Sequence, residues 1–274
     1  MNNRSSLKTK LISSPYIVWS ILFIVAPLIF VVYYSFTDAS GAFTFDNITA
    51  LSKYAPTFLR SIWFGIVATL ICLIIAFPLA YIISQKTDKV QRTLIMLVML
   101  PMWMSFLIRT YSWMALLQDT GIINSFLAKI GIDPVHMINT SGAVILGMVY
   151  NFLPYMIMPI YSVMAKLDYS MVEAAQDLGG NRLTVIRRCI IPMSMPGVVS
   201  GITMVFVPSV STFYISQKLG GGSFDLIGDV IERQFQQSYN YNLGASLSLV
   251  LMVLILICMA VMNRFTGDEE GMVI

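Results

Sequence analysis

The chain has 274 residues, of which 57% are hydrophobic and 11% charged, and its mean hydropathy is +0.77. Soluble domains carry about 25% charged residues, so this composition excludes an ordinary soluble domain and indicates a membrane protein. The net charge of +3 and the single histidine, His136, argue against a nucleic-acid binder, a multi-histidine metal site and a His-based catalytic triad.

The first apolar run, Pro15–Phe36, follows Arg4, Lys8 and Lys10 in the way that a signal peptide follows its basic segment. It is longer than the apolar core of a signal peptide, about 7–15 residues, and has no convincing A-x-A cleavage site. We therefore expect a retained first span after a short tail, 1–14.

Six apolar segments have about the length of 20 residues that a helix needs to cross a bilayer. Pro101 and Arg109 interrupt the third, which makes it the least regular. The sequence predicts an all-α membrane protein with six transmembrane helices. The predicted spans are Pro15–Phe36, Ile62–Ser84, Thr93–Leu117, Gly142–Ala165, Pro196–Ser216 and Ala245–Met262.

The distribution of Lys and Arg predicts the orientation, because cytoplasmic connections carry an excess of cations. With both termini in the cytoplasm, the outer side holds only Lys53, Arg60, Lys129, Lys218 and Arg233, with Arg109 near its membrane surface. The inner cations are more numerous: Arg4, Lys8, Lys10, Lys86, Lys89, Arg92, Lys166, Arg182, Arg187, Arg188 and Arg264.

The longest inner connection, 166–195, is charged and has the pattern of two helices. In residues 167–179 an apolar stripe runs through Leu167, Met171, Ala174 or Ala175, and Leu178. Ser170 and Glu173 have the spacing of a capping box. The stripe predicts an amphipathic helix on the cytoplasmic surface.

A turn and a second short helix follow. Gly179 and Gly180 predict the end of the first helix, where a positive φ is often required. Asn181 can cap the second helix, and Pro192 and Pro196 predict a break before the fifth span. From the residues alone, the element could lie on anionic lipid through its arginines or dock to a cytoplasmic partner. The small Ala174-Ala175 pair favours docking.

The stretch resembles the EAA motif of type I ABC importer permeases, with Glu173-Ala174-Ala175, Gly179 after three residues, and a hydrophobic ending at Pro192. The usual ending is Ile-x-Leu-Pro, from which Cys189 and Ile191 depart. The resemblance implies a MetI-like fold and a non-catalytic subunit with no cofactor of its own, since a partner ATPase uses ATP and Mg. It also implies that the connection 166–195, here named the coupling loop, contacts that ATPase. The coupling residues would be Glu173, Ala174, Ala175, Asp177, Gly179 and Pro192.

The resemblance also implies a domain organisation. We expect a permease domain over 62–262 that includes the coupling loop, a separate first helix over 15–36, and cytoplasmic tails over 1–14 and 263–274.

Two stretches, 100–124 and 219–235, are similar to permeases of polyamine importers. This likeness implies import of spermidine or putrescine across the bacterial cytoplasmic membrane. The implied partners are a second permease subunit, two ATPase subunits and an extracytoplasmic polyamine-binding protein. Three alternatives remain: a permease for another small solute, such as iron, phosphonate or a sugar, an intramembrane enzyme, and an autonomous channel.

Aromatic and polar residues near the outer half of the spans are candidates for the substrate path, because ammonium groups bind aromatic faces. Arg109 could pair with an outer carboxylate such as Asp119 or with the partner permease, or extend to the lipid headgroups. Trp113 and Tyr111 could instead belong to the interfacial aromatic belt. Outer carboxylates Asp225, Asp229 and Glu232 could attract a cation. The path candidates are Arg109, Tyr111, Trp113, Tyr150, Asn151 and Tyr155.

Overall fold

The computed structural model describes residues 15–177 and 179–264. Within these ranges the chain is helical apart from connecting turns and an isolated antiparallel bridge between Thr37 and Phe43. The helices are α1 (15–20), α2 (Ala26–Ser35), α3 (Asp46–Ala50), α4 (Ala55–Ser84), α5 (Asp88–Met99), α6 (Phe106–Leu117), α7 (Ile122–Lys129), α8 (Ser141–Met164), α9 (Tyr169–Asp177), α10 (Arg182–Val185), α11 (Ile191–Ser211), α12 (Tyr214–Leu219), α13 (Ile227–Gln236) and α14 (Tyr241–Arg264).

Five helical runs in the described chain are long and apolar enough to cross a membrane, and a bent pair of helices provides a sixth crossing if it counts as one span. The predicted all-α membrane fold is confirmed, while the cytoplasmic location of the termini stays a prediction. The tails 1–14 and 265–274 lie outside the described residues. The five runs are Pro15–Ser35, Asp46–Ser84, Ser141–Met164, Arg182–Ser211 and Tyr241–Met262.

The third predicted span, Thr93–Leu117, consists of two half-helices rather than one straight helix. Asp88–Trp103 and Phe106–Lys129 meet at an angle of 87°. Pro101 lies in the 3₁₀ turn Leu100–Trp103, directly before the bend. Because proline has no backbone N–H and clashes with the preceding turn, the α-helical part of the first half ends at Met99 and continues only as a 3₁₀ turn to Trp103.

The break expected at Pro192 and Pro196 is wrong, because Arg182–Ser211 is one helical run. A π-helical segment, Ile186–Ile190, precedes the first proline, and the N–H of Ile191 donates to the carbonyl of Ile186 five residues back. The wider turn shifts the hydrogen-bond register just before a residue that has no N–H to donate. The coupling loop therefore continues directly into the fifth span.

One compact unit comprises the described residues up to 55 together with 230–253. Here α14 caps the end of α2, whose last carbonyls have no donor within their own helix. Asn242 Nδ2 donates to the carbonyls of Thr37 at 2.7 Å and Tyr34 at 3.2 Å. Ser246 Oγ donates to the carbonyl of Ser35 at 3.1 Å. These polar contacts hold the first span at one end.

The second unit comprises the described parts of 56–229 together with 254–264. Its most extensive helix contact joins α8 to α11. A Cβ added at Gly197 would lie 2.8 Å from the carbonyl oxygen of Pro159 and 3.0 Å from the Cα of Ile160. One at Gly201 would lie 2.7 Å from Met156 Sδ. The two backbones therefore approach closely at a Gly-x-x-x-Gly pair, as small residues permit in membrane helices.

Candidate functional site

The coupling loop begins with a cap that the sequence pattern did not identify. The Asp168 carboxylate accepts the N–H of Ser170 at 3.0 Å, and α9 starts at Tyr169. Ser170 thus lies inside the helix, and the capping box with Glu173 is wrong. This backbone hydrogen bond, followed by one from the Ser170 side chain, holds the pKa of Asp168 below its ordinary value. Glu173 has no ion-pair partner within the described chain and is exposed.

The inward face of α9 and of the preceding turn matches the predicted stripe at Leu167 and Ala175 and differs from it at Met171. Val172 is 4% exposed, and Ala175 and Leu167 pack against the same core. Met171, predicted to be buried, is 53% exposed, and position 178 lies outside the described residues. The prediction was rotated by part of a turn because Met171 and Val172 are both apolar, and only tertiary packing decides between them.

The outward face of α9 brings together Glu173, Ala174 and Asp177, all exposed. Ala175, the second alanine of the motif, instead packs inward. The exposed face has a small residue between two carboxylates, which leaves room for another surface to approach the helix closely.

Two glycines end α9, each for its own reason. Gly179 has a φ of +84°, and its N–H donates to the carbonyl of Gln176 at 2.9 Å. Gly180 donates to the carbonyl of Ala175 at 3.1 Å, and a Cβ there would lie 2.5 Å from that oxygen. The pair forms the Schellman turn predicted from the glycines. Asn181 Oδ1 then accepts the N–H of Thr184 at 2.8 Å, which confirms the second cap.

The far end of the coupling loop is embedded in the core. Val185 and Ile190 are 3% and 2% exposed. Pro192 lies exposed in the first turn of α11, the helix that packs on α8 through Gly197. The coupling loop therefore connects the two helices that make the most extensive contact in their unit.

Arg109, the first of the path candidates, is buried at 8% exposed, and its Nε and Nη1 have no hydrogen-bond partner in the described chain. Its guanidinium carbon lies 6.0 Å from the centre of the Phe106 ring. The pairing with Asp119 is wrong, because no ion pair joins the two residues within the described chain; Asp119 instead accepts a bond from His136 at 2.9 Å. The burial also does not fit a side chain extended to lipid headgroups. Contact with another subunit stays a prediction.

Tyr111 belongs to an aromatic cluster with two residues that sequence reasoning did not select. Its ring and that of Tyr214 meet edge to face, with centroids 6.1 Å apart. Lys218 Nζ lies 5.5 Å from the Tyr111 centroid and 5.8 Å from the Tyr214 centroid. Lys218 counted only as an outer cation in the sequence. The four-residue spacing of Tyr214 and Lys218 was the available signal, since it places both on one helix face.

The remaining path candidates divide between packed and exposed positions. Trp113 meets Tyr150 at 5.3 Å and 71°, which packs α6 against α8. Asn151 is 1% exposed and donates to the carbonyl of Gly147 at 2.9 Å, while its Oδ1 has no partner in the described chain. Tyr155 is 42% exposed. The six candidates thus do not form one cluster around a single cavity.

Asp229 does not present a free carboxylate to a cation. It is 3% exposed, and its oxygens accept the Ser216 hydroxyl at 2.9 Å and the Leu226 N–H at 2.8 Å. Because both contacts are buried and charge-assisted, they stabilise the connection between α12 and α13.

The chain is similar in sequence to known membrane transport proteins. Residues 78–266 match the model of the family described as "Binding-protein-dependent transport system inner membrane component". The chain is 38% identical over 227 residues to the spermidine/putrescine transport system permease protein PotB of Escherichia coli K12, covering 79% of this chain and 82% of that one. The PotB of Haemophilus influenzae is 38% identical over 234 residues, covering 81% of each chain.

A more distant relative is the inner membrane ABC transporter permease protein YdcU of E. coli K12, 28% identical over 222 residues, or 74% of this chain and 71% of that one. Among solved structures, a bacterial ABC transporter involved in alginate import superposes with a TM-score of 0.77 at 19% identity, covering 98% of this chain and 99% of its own. The same type of transporter, in complex with its alginate pentasaccharide-bound periplasmic protein, gives a TM-score of 0.77 at 18% identity, covering 97% of each chain. At these identities the structures establish the fold alone.

Proposed function

Since the chain belongs to the family of binding-protein-dependent transport system inner membrane components, we propose that it is the permease subunit of an ATP-driven importer of polyamines, spermidine and putrescine. The observation that carries the substrate class is the 38% identity to PotB over most of both chains. As a permease of this family the chain is a non-catalytic, multi-pass membrane protein, and ATP is hydrolysed by a separate ATPase subunit.

An importer permease of this kind works with an ATPase and an extracytoplasmic binding protein. The specific partners are part of the proposal: a PotC-like second permease, two PotA-like ATPases that use ATP and Mg, and a PotD-like polyamine-binding protein. The assembly would lie in the bacterial cytoplasmic membrane with both termini of this chain in the cytoplasm.

The coupling loop supplies the mechanical connection in this proposal. The exposed face of α9, with Glu173, Ala174 and Asp177, would contact the ATPase. The other end of the loop continues into α11 without a break, and α11 packs on α8 through its glycines. Movement of an ATPase against α9 would therefore displace α8 and α11 together, which can open and close a path on the other side of the membrane.

The charge distribution is consistent with a passage that binds its cation weakly. The helical runs 55–84, 141–164, 182–211 and 241–264 contain no Asp or Glu. A polycation would meet aromatic and neutral polar groups there rather than carboxylates, and high affinity would be supplied by the binding protein. Because the permease itself binds the cation weakly, the substrate can leave the path after it enters.

Uptake of labelled spermidine into proteoliposomes that hold all four components tests the proposal. We expect uptake that requires ATP and that excess unlabelled putrescine or spermidine suppresses. An assembly whose ATPase lacks its catalytic activity is the control. ATP hydrolysis without polyamine uptake would overturn the substrate and support a permease for another small solute, which a screen of iron complexes, phosphonates and sugars would then identify.

A further inference from the structure

The ammonium of Lys218 lies against the rings of two tyrosines, Tyr111 and Tyr214. Its Nζ is 5.5 Å from one centroid and 5.8 Å from the other. Both distances are within the range of about 6 Å over which a ring attracts a cation. The rings stand edge to face at 84°, so they form two walls of a site for one alkylammonium group.

The two-tyrosine site lies where two helices are interrupted. Tyr111 is on α6, which begins after the 87° bend. Tyr214 begins α12, just after α11 ends at Ser211 and Thr212 adopts an extended conformation. Phe106, the first residue of α6, contacts Tyr214 with centroids 6.0 Å apart. At membrane depth such breaks are tolerated where they are buried in protein or line a cavity, and discontinuous helices form the substrate sites of many transporters.

The group that occupies the site has the chemistry of the proposed substrate. The side chain of lysine is an aminobutyl group, a chain of four methylenes that ends in a primary ammonium. Putrescine is the diamine of the same four-carbon chain, and spermidine has one aminobutyl end. An aminobutyl group therefore has the length and the charge to take the place of the Lys218 side chain between the rings.

We propose that Tyr111 and Tyr214 form a subsite for the aminobutyl end of the polyamine, and that Lys218 occupies it when substrate is absent. The inference rests on the proposed function and deepens it. Tyr111 is 45% exposed, so the site can be reached from outside the packed core.

The charges in the cluster indicate that the substrate ammonium replaces the ammonium of Lys218 instead of binding beside it. Arg109 is buried nearby, with its guanidinium carbon 6.0 Å from the Phe106 ring. A second ammonium beside Lys218 would be repelled by both cations. If the substrate ammonium replaces that of Lys218, the charge between the rings stays the same. Lys218 then acts as an internal competitor that weakens binding and helps to release the substrate.

The test measures equilibrium binding of labelled spermidine to the assembly of both permeases and the ATPases in lipid nanodiscs, without the binding protein. Because Lys218 competes for the same rings, their loss is measured in the Lys218→Met variant, in which Tyr111→Leu and Tyr214→Leu together should raise the Kd about tenfold. Tyr111→Phe and Tyr214→Phe keep the faces and should change the Kd by less than about threefold. Lys218→Met removes the competing ammonium and should lower the Kd several-fold, a gain that misfolding cannot produce.

Matched controls remove the same groups elsewhere. Tyr16→Leu changes an exposed tyrosine of the first helix, and Lys129→Met removes an exposed outer cation. Both should leave the Kd unchanged. An unchanged or higher Kd for Lys218→Met, or a Kd that the double leucine change leaves unaltered in the Lys218→Met variant, overturns the subsite while wild-type uptake still supports the importer. A wild-type assembly that neither imports nor binds spermidine overturns the proposed function, and the subsite with it.

Discussion

The N–H of Gly180 donates to the carbonyl of Ala175 across the end of α9, with 3.1 Å between nitrogen and oxygen. This bond closes the helix that carries the exposed Glu173, and it exists because Gly179 turns the chain with a φ of +84°. The orientation of the surface proposed to meet the ATPase therefore depends on the backbone conformation of one glycine.

Gly179→Val should uncouple transport from ATP hydrolysis. Apart from the adjacent residues, no atom of the described chain lies within 4 Å of a Cβ at this position, so the effect comes from the positive φ rather than from a clash. A side chain in this conformation costs about 1–2 kcal/mol, and more for a β-branched residue. The substitution therefore favours a different backbone conformation at the end of α9. Spermidine uptake and ATPase activity are measured on the same proteoliposomes. Gly142→Ala, where a Cβ meets only Thr140 Oγ1 at 3.7 Å, is the control. Equal uptake per ATP in both variants would contradict the role of the turn.

Glu173→Arg should abolish uptake without removing the protein from the membrane. Glu173 is exposed and has no ion-pair partner within the described chain, so the reversal breaks no internal contact. The new charge would instead face the ATPase surface that is proposed to dock there. Co-purification of the ATPase with the permease measures the docking directly. Asp133→Arg makes the same reversal on an exposed connection that is predicted to be on the outer side, and it should retain the ATPase. Retention of the ATPase with normal uptake by the Glu173 variant would refute the docking face.

The start of α9 should respond to acid through Asp168. The backbone and side-chain hydrogen bonds from Ser170 lower the pKa of this carboxyl below its ordinary value of 3.8. A lowered folded-state pKa means that the cap stabilises the helix fully above pH 3.8, and that this contribution is lost as pH falls through the lower, folded-state value. After correction for intrinsic rates, hydrogen exchange of the first α9 amides should therefore accelerate only below pH 3.8. Asp168→Asn keeps a capping oxygen but cannot titrate, so the corrected exchange rates of this variant should not change with pH. If its pH profile were identical to that of the wild type, Asp168 would not be the group that causes the pH dependence.

Gly197→Val should destabilise the contact of α8 with α11. The added side chain would begin 2.8 Å from the carbonyl oxygen of Pro159, and backbone atoms cannot rotate away as a side chain can. Overpacking of this kind typically costs about 1–3 kcal/mol. Thermal unfolding in detergent measures the loss. Met204→Val changes a residue of the same helix that is 51% exposed and should have a smaller effect. Equal stability of the two variants would mean that the helices separate there without cost.

The residues themselves predict the parts of this structure that depend on local chemistry. Long apolar runs indicate the spans because the bilayer fixes their length. Gly179 and Asn181 predict a turn and a cap because few other residues satisfy those backbone positions as well. The coupling loop also follows from its motif, although the role of its residues in docking stays a prediction.

Other features depend on contacts between distant parts of the chain, which the sequence does not specify. Whether Met171 or Val172 faces the core is decided by the helices against which α9 packs. The π segment before Pro192 turns an expected break into a continuous helix. Lys218 meets Tyr111 only because two interrupted helices come together. The corresponding predictions were wrong or absent for this reason.

The glycines at 197 and 201 have a mechanical consequence. Where side chains separate two helices, a small displacement of one can be absorbed by changes of rotamer, and little of it reaches the other. Between α8 and α11 the main chain of one helix lies almost against that of the other, so no flexible layer is present to absorb a displacement. The contact is stiff next to the coupling loop, so in the proposed mechanism a small movement of α9 would be transmitted with little loss in amplitude.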